Sequence, residues 1–492
     1  MSAKMMKMLL AIDQGTTSSR AILFDARARP RASHSVPLQQ VYPASGWVEH
    51  DPAEIWRGVV RCVRAVLKGV PPGRVAGLGV TNQRETSLIW DARTGKPLAN
   101  AIVWQDRRGA ARCAALRAQG WEPKIARKTG LRLDPYFSAT KLEWLLKTIK
   151  GAKARAQRGE VLFGTIDTWL IWKLTGGAVH ATDVTNASRT MLFNLKRRDW
   201  DDELLALFGV PRAMLPKVQD SVADYGVTTL FGAPIPILGV AGDQQAASFG
   251  QACFQPGDVK ATYGTGCFAL VNTGKTIAKS HSRLLTTALA GHDHAIEGSI
   301  FIAGAVVQWL RDELGVIKSA AGSETLASGA RPLQGLYFVP AFTGLGAPYW
   351  DADARGAILG LTRDAGAAEI ARAALDAVCY QTRDLLEAMK ADMARARIRL
   401  RELKVDGGMV ANDGFCQRLA DLTGLAVARP RVTETTALGA ALLAGLGAGI
   451  FQDTAQIARH WALDQRFTPR MKPAQRDSLY AGWLAAVRRI RS

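Results

Sequence analysis

At 492 residues the chain has room for two or three domains. Its 48% hydrophobic and 22% charged residues are those of a globular protein and exclude a disordered or collagenous chain. The formal net charge of +20 raises nucleic acid as a partner, but the arginines are spread along the chain without a like-charge block or an aromatic ladder, so a solvated arginine-rich surface is expected and nucleic acid is not.

The start, "MSAKMMKMLL", places two lysines before an apolar stretch, but that stretch meets Asp13 too soon for a signal-peptide core of about 7–15 residues. A frayed lead into a first strand is expected. "LLAIDQGTTSSRAILFD" (9–25) then reads as strand, a turn of small hydroxyl residues, and strand again. Such a turn can offer backbone N–H groups and hydroxyls to phosphate oxygens, with Asp13 suited to a hydrated Mg²⁺. An ordinary β-hairpin is the alternative.

A helix is expected over 53–68 and a strand over "VAGLGVTN" (75–82). Arg84 and Glu85 follow in "TNQRETSLIWD", and Trp104 in "AIVWQDRR". Arginine only donates and glutamate only accepts, so the pair can satisfy polyol hydroxyls, which do both; Trp104 could cover a carbon face. A surface ion pair is the competing reading. "KLEWLLKTI" (141–149) reads as helix, and a switch between domains is expected within 239–259.

"VKATYGTGCFALVNTG" (259–274) repeats the pattern of the opening hairpin, with "LYFVPAF" (336–342) as a later strand, which suggests two similarly built α/β domains. The same stretch imitates two nucleotide motifs. Gly274-Lys275-Thr276 ends like a P-loop, but Ala269 stands where its first glycine belongs, and "GTGCFA" is followed by a strand-like run where a dinucleotide fingerprint needs a helix. Both matches read as accidental. A long helix is expected over 366–396, and the uncharged run 435–452, broken by glycines, suits a tightly packed helix and turn rather than a membrane span. Six cysteines without metal spacing read as reduced, buried thiols of a cytoplasmic protein, and His292-Asp293-His294 lacks further ligands for a metal.

Taken together, "AIDQGTTSSRA", "TNQRET", "IVWQDRR", "DPYFSATK" (134–141), "AGDQQAA" (241–247), "TYGTGCF" (262–268), "AGAVVQWLRD" (303–312), "PAFTGLGAPYWD" (340–351), "VDGGMVAN" (405–412) and "TALGAALLAG" (436–445) carry a resemblance. The chain resembles the FGGY carbohydrate kinase family of the actin/hexokinase superfamily, collinearly over almost its whole length. The trio "NQRET", "WQDRR" and "DPYFS" is similar to its glycerol-phosphorylating members.

The resemblance implies two ribonuclease H-like α/β domains facing across a cleft, 1–250 for polyol and phosphate and 251–492 for nucleotide. It implies ATP-dependent phosphorylation of glycerol to sn-glycerol 3-phosphate in glycerol catabolism, with closure expelling water. Arg84, Glu85, Tyr136, Asp243 and Gln244 would form the polyol pocket, with Trp104 and Phe268 on the carbon backbone and Asp243 as general base. Thr16, Thr17, Ser18 and Arg20 of the first hairpin and Thr265 of the second would hold the phosphates of ATP, with Mg²⁺ at Asp13. Gly304, Gln308, Gly408 and Asn412 would meet the rest of the nucleotide. A homodimer or homotetramer is implied.

Departures from the family pattern also matter. Some bacterial members bind fructose 1,6-bisphosphate through a glycine- and arginine-containing loop; the corresponding "YGVTTLFGAPIP" (225–236) has no lysine or arginine, so little inhibition is expected. No histidine lies between His180 and His281, so activation by histidine phosphorylation in that region is not expected either. Kinases of other small polyols or ketotrioses and a catalytically silent homologue are the rival readings.

Overall fold

Leu9 to Ile12 are fully buried, as a strand covered on both faces requires. Met8–Gln14 pairs antiparallel with Ser18–Asp25, from Met8 opposite Asp25 to Gln14 opposite Ser19, so the opening segment is a hairpin turning at residues 15–17. On its other side Met8–Gln14 runs parallel to Val75–Asn82, which runs parallel to Ile235–Gly242. The completed sheet runs in the order Val227–Thr228, Ile235–Gly242, Val75–Asn82, Met8–Gln14, Ser18–Asp25, Pro30–Pro37. This computed structural model describes residues 7–71, 73–331, 335–351 and 353–491.

The chain divides into two units, the first comprising residues 1–252, 286–294 and 435–461 and the second 253–285, 295–434 and 462–492. The chain crosses between the units at 252/253, and residues 435–461 return to the first. The physical reason is the packing of the Thr435–Gly447 helix, whose mean hydropathy is high and which carries no charge. Glycines on the sheet receive it: a Cβ on Gly79 would come within 2.0 Å of the Ala440 carbonyl oxygen, and one on Gly239 within 2.5 Å of Ala444 N. Gly439 meets the Ala246 carbonyl in the same way, so the helix and Asp243–Gly250 touch backbone to backbone.

In the second unit Val259–Tyr263 pairs antiparallel with Cys267–Gly274 and parallel with Leu403–Asp406, repeating the hairpin-plus-parallel-strand arrangement of the first. Val427–Pro430 and Leu463–Phe467 extend that sheet. Residues 275–280 after the hairpin are not helical, which removes the P-loop and dinucleotide readings. Helix Ala367–Arg395 braces the unit, with Thr382 and Tyr263 hydroxyls 3.0 Å apart. The expected helices at 53–68 and 141–149 are Pro52–Leu67 and Ser138–Thr148, and the 336–342 strand is the short Tyr337–Val339. All six cysteines are free and buried. Among the described residues no helix is long and apolar enough to cross a membrane.

Candidate active site

Three parallel strands of the first unit end together. Asp13 lies opposite Thr81, and Gly242 opposite Asn82, so Asp13, the 83–85 segment and Asp243 leave the sheet at one carboxyl edge. Open α/β sheets bind ligands at such edges. Asp243 begins helix Asp243–Gly250 and accepts from Gln244 N at 2.7 Å. Its Oδ1 lies 3.1 Å from Arg84 Nε, which is itself 3.9 Å from Glu85 Oε1. Arg84 Nη1 donates to Gln245 Oε1 at 3.2 Å. Gly242 makes room for this arginine, since a Cβ there would come within 2.7 Å of Arg84 Cγ and Cδ.

Burial separates the roles of these groups. The side chains of Arg84 and Glu85 are 2% and 1% exposed, which excludes a surface ion pair, while Asp243 keeps 31% of its side chain open. Glu85 has φ of 62°, a strained conformation for a residue with a Cβ. Its carbonyl is held by Ser138 Oγ at 3.1 Å and by Lys141 Nζ at 3.4 Å. Lys141 also donates to the carbonyls of Tyr136 and Phe137. Burial pulls the Lys141 ammonium down to about 8, against the attraction of Glu85 and other carboxylates.

Trp104 and Tyr136 are half-buried and meet edge to face, their ring centroids 5.7 Å apart. Trp104 Nε1 donates to Thr16 Oγ1 at 2.9 Å, tying the aromatic pair to the first hairpin. In that turn Gly15 N donates to the Ser18 carbonyl at 3.0 Å, and Gln83 Nε2 to the Gly15 carbonyl at 3.1 Å. Thr17 is exposed at the tip, and Arg20 lies opposite Asp13 across the hairpin. Gln244 is buried beside Asp243.

The second unit gathers its own set. Ala303 N and Ala305 N donate to the Thr265 carbonyl at 2.9 and 3.0 Å, and Gly304 N to the Gly264 carbonyl at 2.9 Å. Thr265 and the start of helix Gly304–Asp312 are therefore neighbours, with Gln308 exposed one turn on. A Cβ on Gly304 would lie 2.5 Å from the Gly264 carbonyl oxygen, so this approach needs glycine. Gly408 is open, and a Cβ there would meet nothing within 4 Å. Asn412 caps helix Asp413–Thr423, accepting from Phe415 N at 2.6 Å. Phe268, half-buried, also belongs to this unit.

Among the described residues no group of three or more His, Cys, Asp or Glu could hold a metal by itself. The half-buried carboxylate of Asp13 beside a hydroxyl-rich turn fits a different kind of cation, one bound through a single carboxylate, water and phosphate oxygens.

Sequence reasoning did not single out Arg189, whose Nε donates to Glu85 Oε1 at 2.6 Å from 104 positions away. It also passed over Lys141 and over Gln245, which donates to Thr287 Oγ1 at 3.0 Å while accepting from Arg84. Lys141 and Gln245 lie within quoted motifs, "DPYFSATK" and "AGDQQAA"; Arg189 carried no signal beyond being an arginine in an otherwise apolar and small-residue run.

Residues 8–250 match the N-terminal domain model of the FGGY family of carbohydrate kinases and residues 259–448 its C-terminal domain model. The chain is a carbohydrate kinase of this family. Glycerol kinase of Rhodospirillum centenum is 58% identical over 492 residues, 98% of either chain, and that of Rhizobium meliloti is 58% identical over 489 residues with the same coverage. The crystal structure of Plasmodium falciparum glycerol kinase with ADP superposes with a TM-score of 0.93 at 35% identity, covering 99% of this chain and 98% of that one. Within the FGGY family, the chain belongs to the glycerol kinases.

Proposed function

We propose that the protein phosphorylates glycerol with ATP, giving sn-glycerol 3-phosphate and ADP. The observation that supports this most directly is the Arg84–Asp243 contact of 3.1 Å, with Asp243 part-open and Glu85 buried beside it. Donors of Arg84 and Gln244 and acceptors of Glu85 and Asp243 can satisfy adjacent hydroxyls, each of which donates and accepts. Trp104 and Tyr136 offer apolar faces for the carbon chain.

Asp243 serves as general base. Its carboxylate orients the attacking hydroxyl and takes the proton as the bond to the γ-phosphorus forms, while the bond to the bridging oxygen of ADP breaks. Arg84 steadies that carboxylate and keeps its charge aimed. In the first unit Thr16, Thr17, Ser18 and Arg20 receive phosphate oxygens, and Asp13 is the carboxylate for Mg²⁺. Mg²⁺, when bound, supplies charge neutralisation on the phosphates. In the second unit Thr265 receives phosphate, and Gly304, Gln308, Gly408 and Asn412 meet the nucleotide.

The test is an ADP-release assay across glycerol, dihydroxyacetone, erythritol and xylulose with Mg²⁺ present. Glycerol is expected to give the highest kcat/KM. A clear preference for another acceptor removes the substrate assignment and leaves the kinase assignment standing.

A further inference from the structure

We infer that Arg189 is a positioning residue for phosphoryl transfer: it holds the Glu85 carboxylate charged and aimed, and so leaves Arg84 for Asp243. The inference rests on the reading of Arg84, Glu85 and Asp243 as the polyol pocket.

Five charges meet around this pocket, the buried Lys141 ammonium standing near Glu85 as well, and the two carboxylates compete for Arg84. Its Nε is 3.1 Å from Asp243 and 3.9 Å from Glu85. Glu85 is the more deeply buried of the two carboxylates, so it has the stronger need of a counter-charge. Arg189 meets that need at 2.6 Å, with its own side chain 0% exposed. Two carboxylates then face two guanidiniums, and Arg84 can stay on the acceptor side of Asp243.

Arg189 is itself fixed. Its Cζ lies 5.3 Å from the Phe137 ring centroid and 5.6 Å from that of Tyr136, so the same guanidinium supports a pocket ring. The backbone around it is pinned: Arg189 N donates to the Asn186 carbonyl at 3.0 Å, and Ala139 N to the Thr190 carbonyl at 2.9 Å. Ser188 Oγ and Thr190 Oγ1 bond back to the Thr185 and Ala187 carbonyls. The segment cannot follow Glu85 if Glu85 moves; it sets where Glu85 points.

Without Arg189, Arg84 is drawn to Glu85 and away from Asp243, and Glu85 becomes easier to protonate. Both effects weaken glycerol binding more than ATP binding. A residue that merely fills space would change neither the pH profile nor one KM without the other.

The test compares wild type, Arg189→Met and Arg189→Lys by steady-state kinetics between about pH 5.5 and 8.5, with thermal melting as a folding control. Arg189→Met is expected to raise the glycerol KM about tenfold or more, with the ATP KM within about twofold. The acid limb of its kcat/KM profile for glycerol should move to higher pH. Arg189→Lys keeps the charge, so its acid limb should stay with wild type while the glycerol KM rises less. An unmoved acid limb in Arg189→Met, or glycerol and ATP KM values rising in parallel, overturns the inference. If Arg189→Met does not fold, Arg189→Gln takes its place: a glycerol KM within about twofold of wild type in that uncharged variant overturns the inference. Absence of glycerol-dependent turnover in wild type would instead sink the polyol reading on which the inference rests.

Discussion

The indole Nε1 of Trp104 donates to the Thr16 hydroxyl at 2.9 Å, joining the tryptophan to the turn of the first hairpin. Trp104 N in turn donates to Thr86 Oγ1 at 3.2 Å, so the tryptophan is tied to the segment that carries Arg84 and Glu85 as well. One side chain thus couples the segment proposed to hold the polyol to the turn proposed to receive phosphate.

Trp104→Phe keeps an aromatic wall and removes the donor. We expect kcat to fall several-fold, the glycerol KM to change less than in Trp104→Ala, and stability to drop by about 0.5–1.5 kcal/mol. Thr16→Val should give a similar loss. In a double-mutant cycle the two changes should be markedly less than additive, because they remove the same bond. Additive effects on kcat would separate the two residues.

Asp243→Asn removes the proposed proton acceptor and keeps the shape. We expect kcat to fall by about 10²–10⁴ with the fold retained. Near-normal turnover in the variant would take the general-base role away from Asp243.

Both hairpins were legible because their signal is local: apolar runs on either side of small residues specify antiparallel pairing without distant information. The same holds for helix Thr435–Gly447, whose apolar, glycine-broken run announced tight packing. Where that helix packs was not legible. Gly79 and Gly239, which receive it, lie far earlier in the chain, and a glycine in a strand does not say what approaches it. Arg84, Glu85 and Asp243 were found through motifs, whereas Arg189 was not. Its contact with Glu85 is made only in three dimensions, and one arginine among many carries no mark in the sequence.

Lys141 is a buried cation whose ammonium donates to three carbonyls, those of Glu85, Tyr136 and Phe137. Lys141→Met leaves these acceptors facing an apolar side chain, at a cost of about 1–3 kcal/mol for each one that water cannot reach. We expect a lower melting temperature and a glycerol KM raised more than that for ATP, since Glu85 and Tyr136 both belong to the proposed polyol set. An unchanged glycerol KM alongside a lowered melting temperature would make the lysine a purely structural residue.

Asp167 gives the fold a pH dependence that can be read separately from catalysis. It is fully buried and accepts from Thr165 Oγ1 at 2.5 Å and Thr182 Oγ1 at 2.6 Å. Burial first, and the charge of Asp183 second, push it up to about 7 from 3.8. Between those values the folded chain holds a proton that the unfolded chain has released, so stability falls as pH rises through this window. Above about 7 the charged group is buried and the loss is complete. Asp167→Asn carries no such charge, so its melting temperature should fall less than that of wild type between about pH 5 and pH 8. Equal falls in the two proteins would locate the pH dependence elsewhere.

Gly439 tests the packing that draws the 435–461 segment into the first unit. A Cβ at this position would lie 1.8 Å from the Ala246 carbonyl oxygen and 3.0 Å from Gly250 N, both backbone atoms of the helix that begins with Asp243. Neither can swing aside as a side chain could, so Gly439→Ala must separate the two helices. Overpacking of this kind costs about 1–3 kcal/mol, and a backbone clash belongs at the upper end. The same separation shifts Asp243 relative to Arg84, 3.1 Å away, and displacements of that order are expensive in catalysis. We therefore expect both a lower melting temperature and a reduced kcat at temperatures where the variant is folded. Gly449→Ala is no neutral control, because Gly449 has φ of 66°, and Gly408 belongs to the proposed nucleotide contacts. Gly322, whose Cβ would make only ordinary contacts of 3.7 Å or more in the other unit, is the suitable comparison. If Gly439→Ala melts and turns over like Gly322→Ala, the close helix contact is not what holds the segment in place.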